Sequence, residues 1–418
     1  MRISMVSAAL SPLTALDGMD ACGRSVHLAA LGTALARRGH QVTVYTRLDA
    51  PGLSERVEIS PRFELVRLAA GPTEHLSEDE SLPHMAHLAD GLAQDWLRTK
   101  PDIVHSQFWM SGVAALDAAR RTDVPRDIPV AQSFHGLGLI SRRTEGTGDT
   151  SPPEREWLEP WVGRNADSVI ATCSDEAFEL KSLGIPTGAI SVVRCGVDLR
   201  RFGPHGDFEA KHRPVRLVTV GRLVPRNEFD LVIRAFAQLV GDGVDAELVI
   251  VGAAINNPGG DCHIVAAELR TLAHDLAVAD RVDLRGPMAH AAMPALLRSA
   301  DAVICTPRYE PSGIVALEAM ACGIPVVASG VGGLIDTVID GVTGVHVPPH
   351  DPEAIATALA CLLADVARMA SLGEAGSRRV AKWFSWEQVA IDTERAYRKT
   401  ARRAKERVIT RASTGATQ

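Results

Sequence analysis

Short runs of aliphatic and β-branched residues alternate with longer amphipathic segments along almost the whole chain. The first cycle reads "RISMVS", "RSVHLAALGTALARRGH" and "QVTVYT", and Gly39 ends the central segment. A strand, an amphipathic helix stopped by glycine and a second strand make a β-α-β unit, whose strands lie parallel. The alternation therefore predicts an α/β fold built on parallel sheet.

The alternation falls into two series. The first continues with "PDIVHS", "IPVAQSFH" and "ADSVIATCS"; the second comprises "RLVTVG", "ELVIVG", "RVDLRG", "ADAVICTP", "PVVAS" and "GVHVPP". The segment "CGVDLRRFGPHGDFEAKHRPVR", rich in glycine, proline and charge, separates them. Because 418 residues also exceed the roughly 250 to 300 that one core organises, we predict Rossmann-like domains at 1–196 and 214–382 with a linker at 197–213.

The C-terminal stretch "KWFSWEQVAIDTERAYRKTARRAKERV" has aromatic anchors and is typical of a helix. We predict a helix at 383–408 that returns to the N-terminal domain. Residues 409–418 lack apolar periodicity, which predicts a disordered tail.

Composition argues against several classes of function. A net charge of -7 offers no general attraction to nucleic acid or anionic membrane, and no uncharged apolar stretch reaches the ~18 residues of a membrane span. The start "MRISMVSAALSPLTALDG" is broken by Pro12 and lacks a cationic cluster, so it is predicted as a first strand and not a secretory signal. Seven scattered cysteines without a C-x-x-C pair argue against disulfides or structural zinc and favour a cytoplasmic protein.

The segment "RYEPSGIVALEAMACGIPVVAS" contains the strongest candidate site. Glu310 precedes a turn and a helix whose first amides belong to Gly313, Ile314 and Val315, and such a helix start can bind an anion. Glu318, about a turn further along, can accept hydrogen bonds from sugar hydroxyls. A capped helix with two solvated carboxylates is the alternative that this spacing leaves open.

This motif, followed by "ACGIPVVASGVGGLIDTVIDGVTGVHVPP", resembles the retaining family-4 glycosyltransferases. These enzymes have the GT-B architecture, two Rossmann-like domains with a cleft between them. The resemblance covers nearly the whole chain, since "RGHQVTVYTR", "PDIVHSQFWMSG", "CGVDLRRF", "VGRLVPR" and "FSWEQVA" have counterparts in the same order. It implies transfer of a sugar from a nucleotide-diphosphate donor to an acceptor.

The resemblance also implies roles for residues of the second domain. Arg222 and the amides from Gly313 to Val315 would hold the donor diphosphate. Glu318 would bind the ribose, and Glu310 would lie beside the transferred sugar. Cations and oriented amides suit this reaction because negative charge develops on the leaving phosphate.

Further roles follow for His135, Arg285 and Gly286. His135, at the end of "IPVAQSFH", matches the family histidine that reaches across the cleft toward the donor sugar. A hydrogen-bonded histidine at a strand end is the alternative. Arg285 and Gly286 fall where the family's backbone reads the base.

No metal and no bound cofactor are predicted. The chain has no D-x-D sequence, so a metal-carboxylate site for the donor is not expected. The string "GDGVDA" matches a dinucleotide fingerprint, but it precedes a strand and so lacks the required context. "HGLGLIS" follows a strand and has no identifiable acidic partner for a ribose.

Two positions depart from the family in the donor half. The first glycine-rich loop reads "DGMDACGRSVHLAA", in which only Gly23 remains of the usual pair and Cys22 is predicted to be a small packed residue. The lysine expected after "GRLVPR" is missing, and Asn227 stands in its place. Loss of a charge-assisted hydrogen bond costs about 1.5 to 3 kcal/mol, so the sequence predicts a modified donor site.

The acceptor half is compared with the mycothiol-type glycosyltransferases of actinobacteria, which use a phosphorylated inositol. The acceptor-phosphate ligands there are Lys, Tyr, Thr and Arg, which fall near Glu78, Phe108, Gly136 and Arg155 here. A carboxylate and two lost hydroxyls would repel a phosphate and leave it underbonded. We therefore expect a neutral, zwitterionic or cationic small acceptor.

The sequence thus predicts a retaining, metal-independent glycosyltransferase with a UDP- or GDP-linked donor and a small non-phosphorylated acceptor. An oxygen, nitrogen or sulfur nucleophile fits equally well, and antibiotic or low-molecular-weight thiol biosynthesis is suggested by analogy. The alternative from another class is a catalytically silent relative that binds a nucleotide or sugar as a partner or sensor. A homodimer is left open.

Overall fold

The computed structural model describes residues 1–13, 23–76, 78–121, 128–146, 151–253 and 261–415. The chain divides into two compact units. The first holds the residues up to Arg194 together with the segment from Trp386 onward, and the second holds Cys195–Ser385. The stretch predicted as a linker, 197–213, is part of the second unit.

The first unit is built on an eight-stranded sheet. Its strands are β1 (Arg2–Val6), β2 (Gln41–Arg47), β3 (Arg56–Ser60), β4 (Phe63–Leu68), β5 (Ile103–Gln107), β6 (Val130–Ser133), β7 (Ser168–Ala171) and β8 (Ile190–Val192). They lie in the order β3-β4-β2-β1-β5-β6-β7-β8. All neighbours are parallel except β3 and β4, which are antiparallel.

The second unit contains a six-stranded, fully parallel sheet. Its strands are β9 (Val215–Arg222), β10 (Ala246–Ala253), β11 (Val282–Arg285), β12 (Ala302–Cys305), β13 (Val326–Ser329) and β14 (Gly344–Val347), in the order β11-β10-β9-β12-β13-β14. Leu217, Leu248 and Ile250 are fully buried on these strands. The two parallel-sheet units confirm the predicted α/β fold class.

Helices connect the strands in both units. In the first unit they are Gly23–Arg37, Glu78–Ser81, Met85–Thr99, Trp109–Ala119, Gly138–Glu145, Arg155–Asn165, Ser174–Ser182 and Trp386–Gly415. In the second they are Phe229–Gly241, Asp261–Asp275, Met293–Ser299, Ile314–Ala321, Gly332–Thr337, Pro352–Leu363 and Val366–Trp383. The last helix continues to Gly415, so the tail predicted to be disordered from 409 is helical in its described part.

Every strand predicted from an apolar run is present. The sequence patterns do not predict β3, β4 and β8. The strands β3 and β4 carry arginine and glutamate among their apolar residues, and β8 spans only Ile190–Val192. They therefore lack the continuous apolar run that marks a strand buried on both faces.

The C-terminal helix is fixed to the first unit by polar contacts in its buried face. The Nδ1 atom of His105 lies 2.9 Å from the Tyr397 hydroxyl. Glu394 accepts from Arg38 through both carboxylate oxygens and lies 3.0 Å from Nε2 of His40. The Arg38 guanidinium is the main reason why the pKa of Glu394 falls to about 2.

We expect Glu394→Gln to lower the free energy of unfolding at neutral pH by about 1 to 2 kcal/mol. Because the pKa of Glu394 is depressed in the folded state, its contribution is present above the ordinary carboxyl pKa. It is lost as pH falls toward 2, where the two proteins should become equally stable. Denaturant unfolding from pH 7 to pH 2 measures this, with the exposed Glu406→Gln on the same helix as control. A stability difference that stays constant with pH would contradict the assignment.

Two further observations bear on the sequence predictions. The five cysteines whose side chains the structure describes, Cys173, Cys195, Cys305, Cys322 and Cys361, are free thiols. Within the described residues no single helix is both long and apolar enough to cross a membrane. Only the consecutive helices Pro352–Leu363 and Val366–Trp383 reach that length and apolar composition when taken together, and they are bent by 102° at the break between them.

Candidate active site

The loop after β9 places Arg222 and Asn227 next to each other. Arg222 is the last residue of the strand and is exposed. After a short 3-10 turn, the side-chain amide of Asn227 donates to the Arg222 carbonyl at 2.7 Å. A Cβ at Gly221 would lie 2.8 Å from the same amide nitrogen. The Asn227 side chain is therefore folded back on its own loop. As a neutral amide it does not replace the charge of the lysine that the resemblance leads one to expect there.

Glu228 follows in the left-handed conformation, with φ of 51°. Its carboxylate is 3% exposed, accepts from Nε of Arg308 at 2.8 Å and contacts Nδ1 of His350. The Arg308 amide donates to the Arg226 carbonyl at 2.8 Å. Loops that follow β9, β12 and β14 are thus joined at the carboxyl ends of the strands, where ligands of open parallel sheets bind.

The turn after β12 closes on the side chain of Glu310. One carboxylate oxygen accepts from the Ser312 amide at 2.9 Å, the Ser312 hydroxyl at 2.7 Å and the Gly313 amide at 3.0 Å. Gly313 itself has φ of 63°, a conformation that favours glycine. The Gly313 amide thus donates to Glu310 in this structure, and its role in holding the donor diphosphate stays a prediction. The amides of Ile314 and Val315 begin the helix and by position lack acceptors within it.

The same turn rests on Gly332 and Gly333 at the start of the next helix. The Gly333 amide donates to the Glu310 carbonyl at 2.7 Å. A Cβ at Gly333 would come within 2.5 Å of the Pro311 carbonyl oxygen, and one at Gly332 within 2.4 Å of the Glu310 oxygen. The two glycines therefore permit a backbone contact that holds the Glu310 turn in place.

Glu318 lies one helical turn further along and is 5% exposed. Its carboxylate oxygen is 2.7 Å from Nε2 of His290, whose Nδ1 is 3.0 Å from the Arg201 guanidinium. The Phe202 ring packs 5.2 Å from the same imidazole. Glu318 is thus held in one orientation by a histidine that the sequence did not indicate.

Arg285 and Gly286 lie at the end of the edge strand β11, two strands away from β9. The Arg285 guanidinium donates to Asp283 at 2.6 Å and to Glu209 at 2.7 Å. A Cβ on Gly286 would meet nothing within 4 Å. The arginine side chain is thus committed to protein carboxylates, while the backbone at Gly286 borders open space.

In the first unit, His135 follows β6 in the left-handed conformation, with φ of 57°. Its Nε2 contacts the side-chain oxygen of Gln107, and the Phe108 ring lies 5.4 Å away. The His27 ring meets His135 edge-on at 5.0 Å. Burial lowers the pKa of His27 to about 4, so His27 packs against His135 as a neutral ring at physiological pH.

The turn beyond His135 is held by Arg155 and Glu159. Arg155 donates to the Gly136 carbonyl at 2.9 Å, to Ser151 at 2.9 Å and to Glu159 at 2.7 Å. Glu159 also accepts from the Gly138 amide at 2.8 Å. Burial raises the pKa of Glu159 against the opposing effect of Arg155. The Arg155 guanidinium is therefore occupied by hydrogen bonds within the first unit.

The predicted site residues thus form two groups, one in each unit. Phe108, His135, Gly136 and Arg155 are in contact in the first; Arg222 with Asn227, and Glu310 with Gly313, are in contact in the second. The Glu78 side chain and Cys22 lie outside the described residues, and Gly23 begins the helix Gly23–Arg37.

Sequence reasoning missed five contributors: Glu159, His290, Arg308, Gly332 and Gly333. Two of them had a signal in the sequence: Arg308 follows the strand "AVIC" by three residues, and Glu159 follows Arg155 by four. Among the described residues, no three His, Cys, Asp or Glu side chains are grouped as metal ligands.

Comparisons with known proteins match each of the two units to a glycosyltransferase family model. A family model described as "Glycosyltransferase Family 4" matches residues 22–201, and one described as "Glycosyl transferases group 1" matches 205–379. The D-inositol 3-phosphate glycosyltransferase of Kribbella flavida is 35% identical over 95% of either chain.

Solved structures show the same architecture. Sucrose-phosphate synthase of Thermosynechococcus elongatus superposes with a TM-score of 0.83 at 27% identity, covering 96% of this chain and 98% of that one. The Anabaena protein Alr3699/HepE, solved in complex with UDP, has a TM-score of 0.72 at 17% identity, covering 94% and 99%. The chain therefore belongs to family 4 of the glycosyltransferases, and it is a GT-B glycosyltransferase that uses a nucleotide-sugar donor.

Proposed function

We propose that this glycosyltransferase transfers a sugar from a UDP- or GDP-linked donor to a small acceptor that carries no phosphate, with retention of anomeric configuration and without a metal. The observation that carries the acceptor part is the occupation of Arg155 by Glu159, Ser151 and the Gly136 carbonyl. The donor part rests on Arg222 and the helix start at Ile314.

The donor half would act through charge stabilisation. Departure of the nucleoside diphosphate builds negative charge, which Arg222 and the amides of Ile314 and Val315 would stabilise. Glu318 would bind the ribose through the carboxylate that His290 orients. His135 would orient the sugar, and Glu310 would support the reacting centre. The donor phosphate would take the acceptor's proton, so that attack occurs on the face that the diphosphate leaves.

Base recognition would use backbone near Gly286, with Arg285 held away by Asp283 and Glu209. A base read by backbone groups is compatible with either UDP or GDP. Gly23, at the start of the first helix, would allow close approach of the donor.

The acceptor half differs in chemistry from that implied by the name of the Kribbella relative, which acts on an inositol phosphate. Arg155 is already paired with a buried carboxylate, its side chain being 11% exposed. Phe108 carries no hydroxyl, and Gly136 offers only backbone. Glu78 adds a negative charge to the same set of positions. A dianionic phosphate would therefore meet net repulsion there, whereas a neutral or cationic acceptor would not.

The experiment is a pair of assays on the full-length protein. Calorimetric titration with UDP and GDP identifies the base, and turnover is then compared between inositol 3-phosphate and unphosphorylated inositols, amino sugars and thiols. We expect turnover with the phosphorylated acceptor to be at least ~10-fold lower than with the best unphosphorylated one. This factor corresponds to about 1.4 kcal/mol or more of lost interaction free energy. Turnover should persist in EDTA, and NMR should show a retained anomeric centre. Efficient use of inositol 3-phosphate would refute the acceptor proposal, and inversion or EDTA sensitivity would refute the mechanism.

A further inference from the structure

The donor unit lacks one cation that the family resemblance leads one to expect. Position 227 holds asparagine, and its side-chain amide donates a hydrogen bond to the Arg222 carbonyl at 2.7 Å. The side chain is also packed over Gly221, where a Cβ would come within 2.8 Å of it. Position 227 therefore offers no charge to a diphosphate, and its amide already donates one hydrogen bond within its own loop.

A second guanidinium stands close by, on the neighbouring strand. The strands β9 and β12 are parallel, with Ala302 opposite Leu217 and Val303 opposite Val218. Continued for four more residues, this register brings Pro307 level with Arg222, and neighbouring strands are separated by about 4.8 Å. The Arg308 amide bonds to the Arg226 carbonyl at 2.8 Å, so the two loops remain adjacent beyond the sheet.

The Arg308 side chain is anchored at one point and exposed beyond it. Its Nε donates to Glu228, yet the side chain as a whole is 43% exposed. Arginine has five N–H donors, four of them on the two terminal nitrogens. A guanidinium held through Nε can thus direct its terminal nitrogens to a second anion.

The anchor itself is unusual. Glu228 has a positive φ of 51°, although it is not glycine, and its carboxylate is 3% exposed. Arg308 and His350 both contact its Oε1 atom, which offsets part of the cost of burying the charge. Glu228, the residue directly after Asn227, therefore holds the Arg308 guanidinium in place. Asn227 itself provides no cation.

We propose that Arg308 is a second cationic ligand of the donor diphosphate, and that it replaces the lysine missing at position 227. This proposal rests on the proposed function, in which a nucleoside diphosphate leaves from the carboxyl ends of β9 and β12. Arg308 precedes Glu310 by two residues, so it enters the same turn that the transferred sugar would meet.

A purely structural role for Arg308 makes a different prediction. If it served only to neutralise Glu228, its loss would affect stability and all ligands alike. If it binds the diphosphate, its loss affects ligands according to their phosphates. The ratio of the affinities for nucleoside diphosphate and nucleoside monophosphate separates the two cases.

The test uses Arg308→Ala, Asn227→Lys and the double variant, titrated calorimetrically with UDP, UMP, GDP and GMP. We expect Arg308→Ala to lower the affinity for the nucleoside diphosphate of the preferred base about tenfold, and the affinity for the monophosphate by a clearly smaller factor. Asn227→Lys should restore most of that loss in the double variant. Arg378→Ala, which removes an exposed arginine of the same unit, is the matched control and should change neither affinity.

Removal of Arg308 also leaves Glu228 with one partner fewer, so Arg308→Ala is repeated in a Glu228→Gln background with thermal unfolding measured for each protein. An unchanged diphosphate-to-monophosphate ratio in both backgrounds, or no rescue by Asn227→Lys, would overturn the inference. If Arg222→Ala still weakens diphosphate binding in those proteins, the proposed function stands and only the role of Arg308 is lost. If Arg222→Ala has no effect either, both fall.

Discussion

Replacement of Arg222 by alanine is expected to lower kcat by about 10²- to 10³-fold, the range for one lost group that stabilises charge in a transition state. Arg222 ends the central strand β9, where the carboxyl edge of the sheet opens to ligand. Its charge would be felt most when the bond between sugar and phosphate breaks, because the diphosphate is then most negative. The loss should therefore appear mainly in kcat and less in KM.

Donor hydrolysis provides the measurement, since it needs no knowledge of the acceptor. Arg222→Lys keeps the charge without the forked geometry and should recover part of the activity. Arg378→Ala controls for the loss of one positive charge in the same unit. Hydrolysis at the wild-type rate by Arg222→Ala, with the protein folded by thermal unfolding, would refute the assigned role.

The sequence predicts the parts of the fold whose cause is local. Each strand with a continuous apolar run was identifiable because burial on both faces imposes that pattern. The strands β3 and β4 were not predicted because Glu58 and Glu64 interrupt their apolar residues, and because their pairing is a long-range property. Their cross-strand contacts, such as Arg56 with Glu64 at 3.4 Å, are visible only once the chain has folded.

The same distinction applies to the site. The approach of His135 to Phe108 follows from parallel neighbours, since residues after β5 and β6 must lie at one edge. The pairing of Arg155 with Glu159 was also within reach, because residues four apart share a helix face. The bond from Gly313 to Glu310 was not foreseen, since a carboxylate before a helix can face solvent or cap the turn. Which of the two occurs depends on contacts that form only in the folded chain.

A second strong effect is expected from Gly333→Ala. The new methyl group would lie 2.5 Å from the Pro311 carbonyl oxygen and 2.9 Å from its carbon. Backbone atoms cannot move aside as a flexible side chain can, so the turn that holds Glu310 must shift. The bond from the Gly333 amide to the Glu310 carbonyl, 2.7 Å long, would be strained with it. We expect donor hydrolysis to fall by at least about 10²-fold, since small misplacements of reacting groups have effects of that size.

Gly330→Ala is the matched control, because a Cβ there meets nothing within 4 Å. It adds the same methyl group three residues earlier and should leave hydrolysis unchanged. Overpacking at 333 should also lower the free energy of unfolding, by about 1 to 3 kcal/mol, so both quantities are measured at a temperature where each variant is folded. Equal hydrolysis by the two variants would mean that the turn tolerates displacement. The carboxylate of Glu310 would then lie too far from the reacting atoms to support them, and its role beside the transferred sugar would have to be given up.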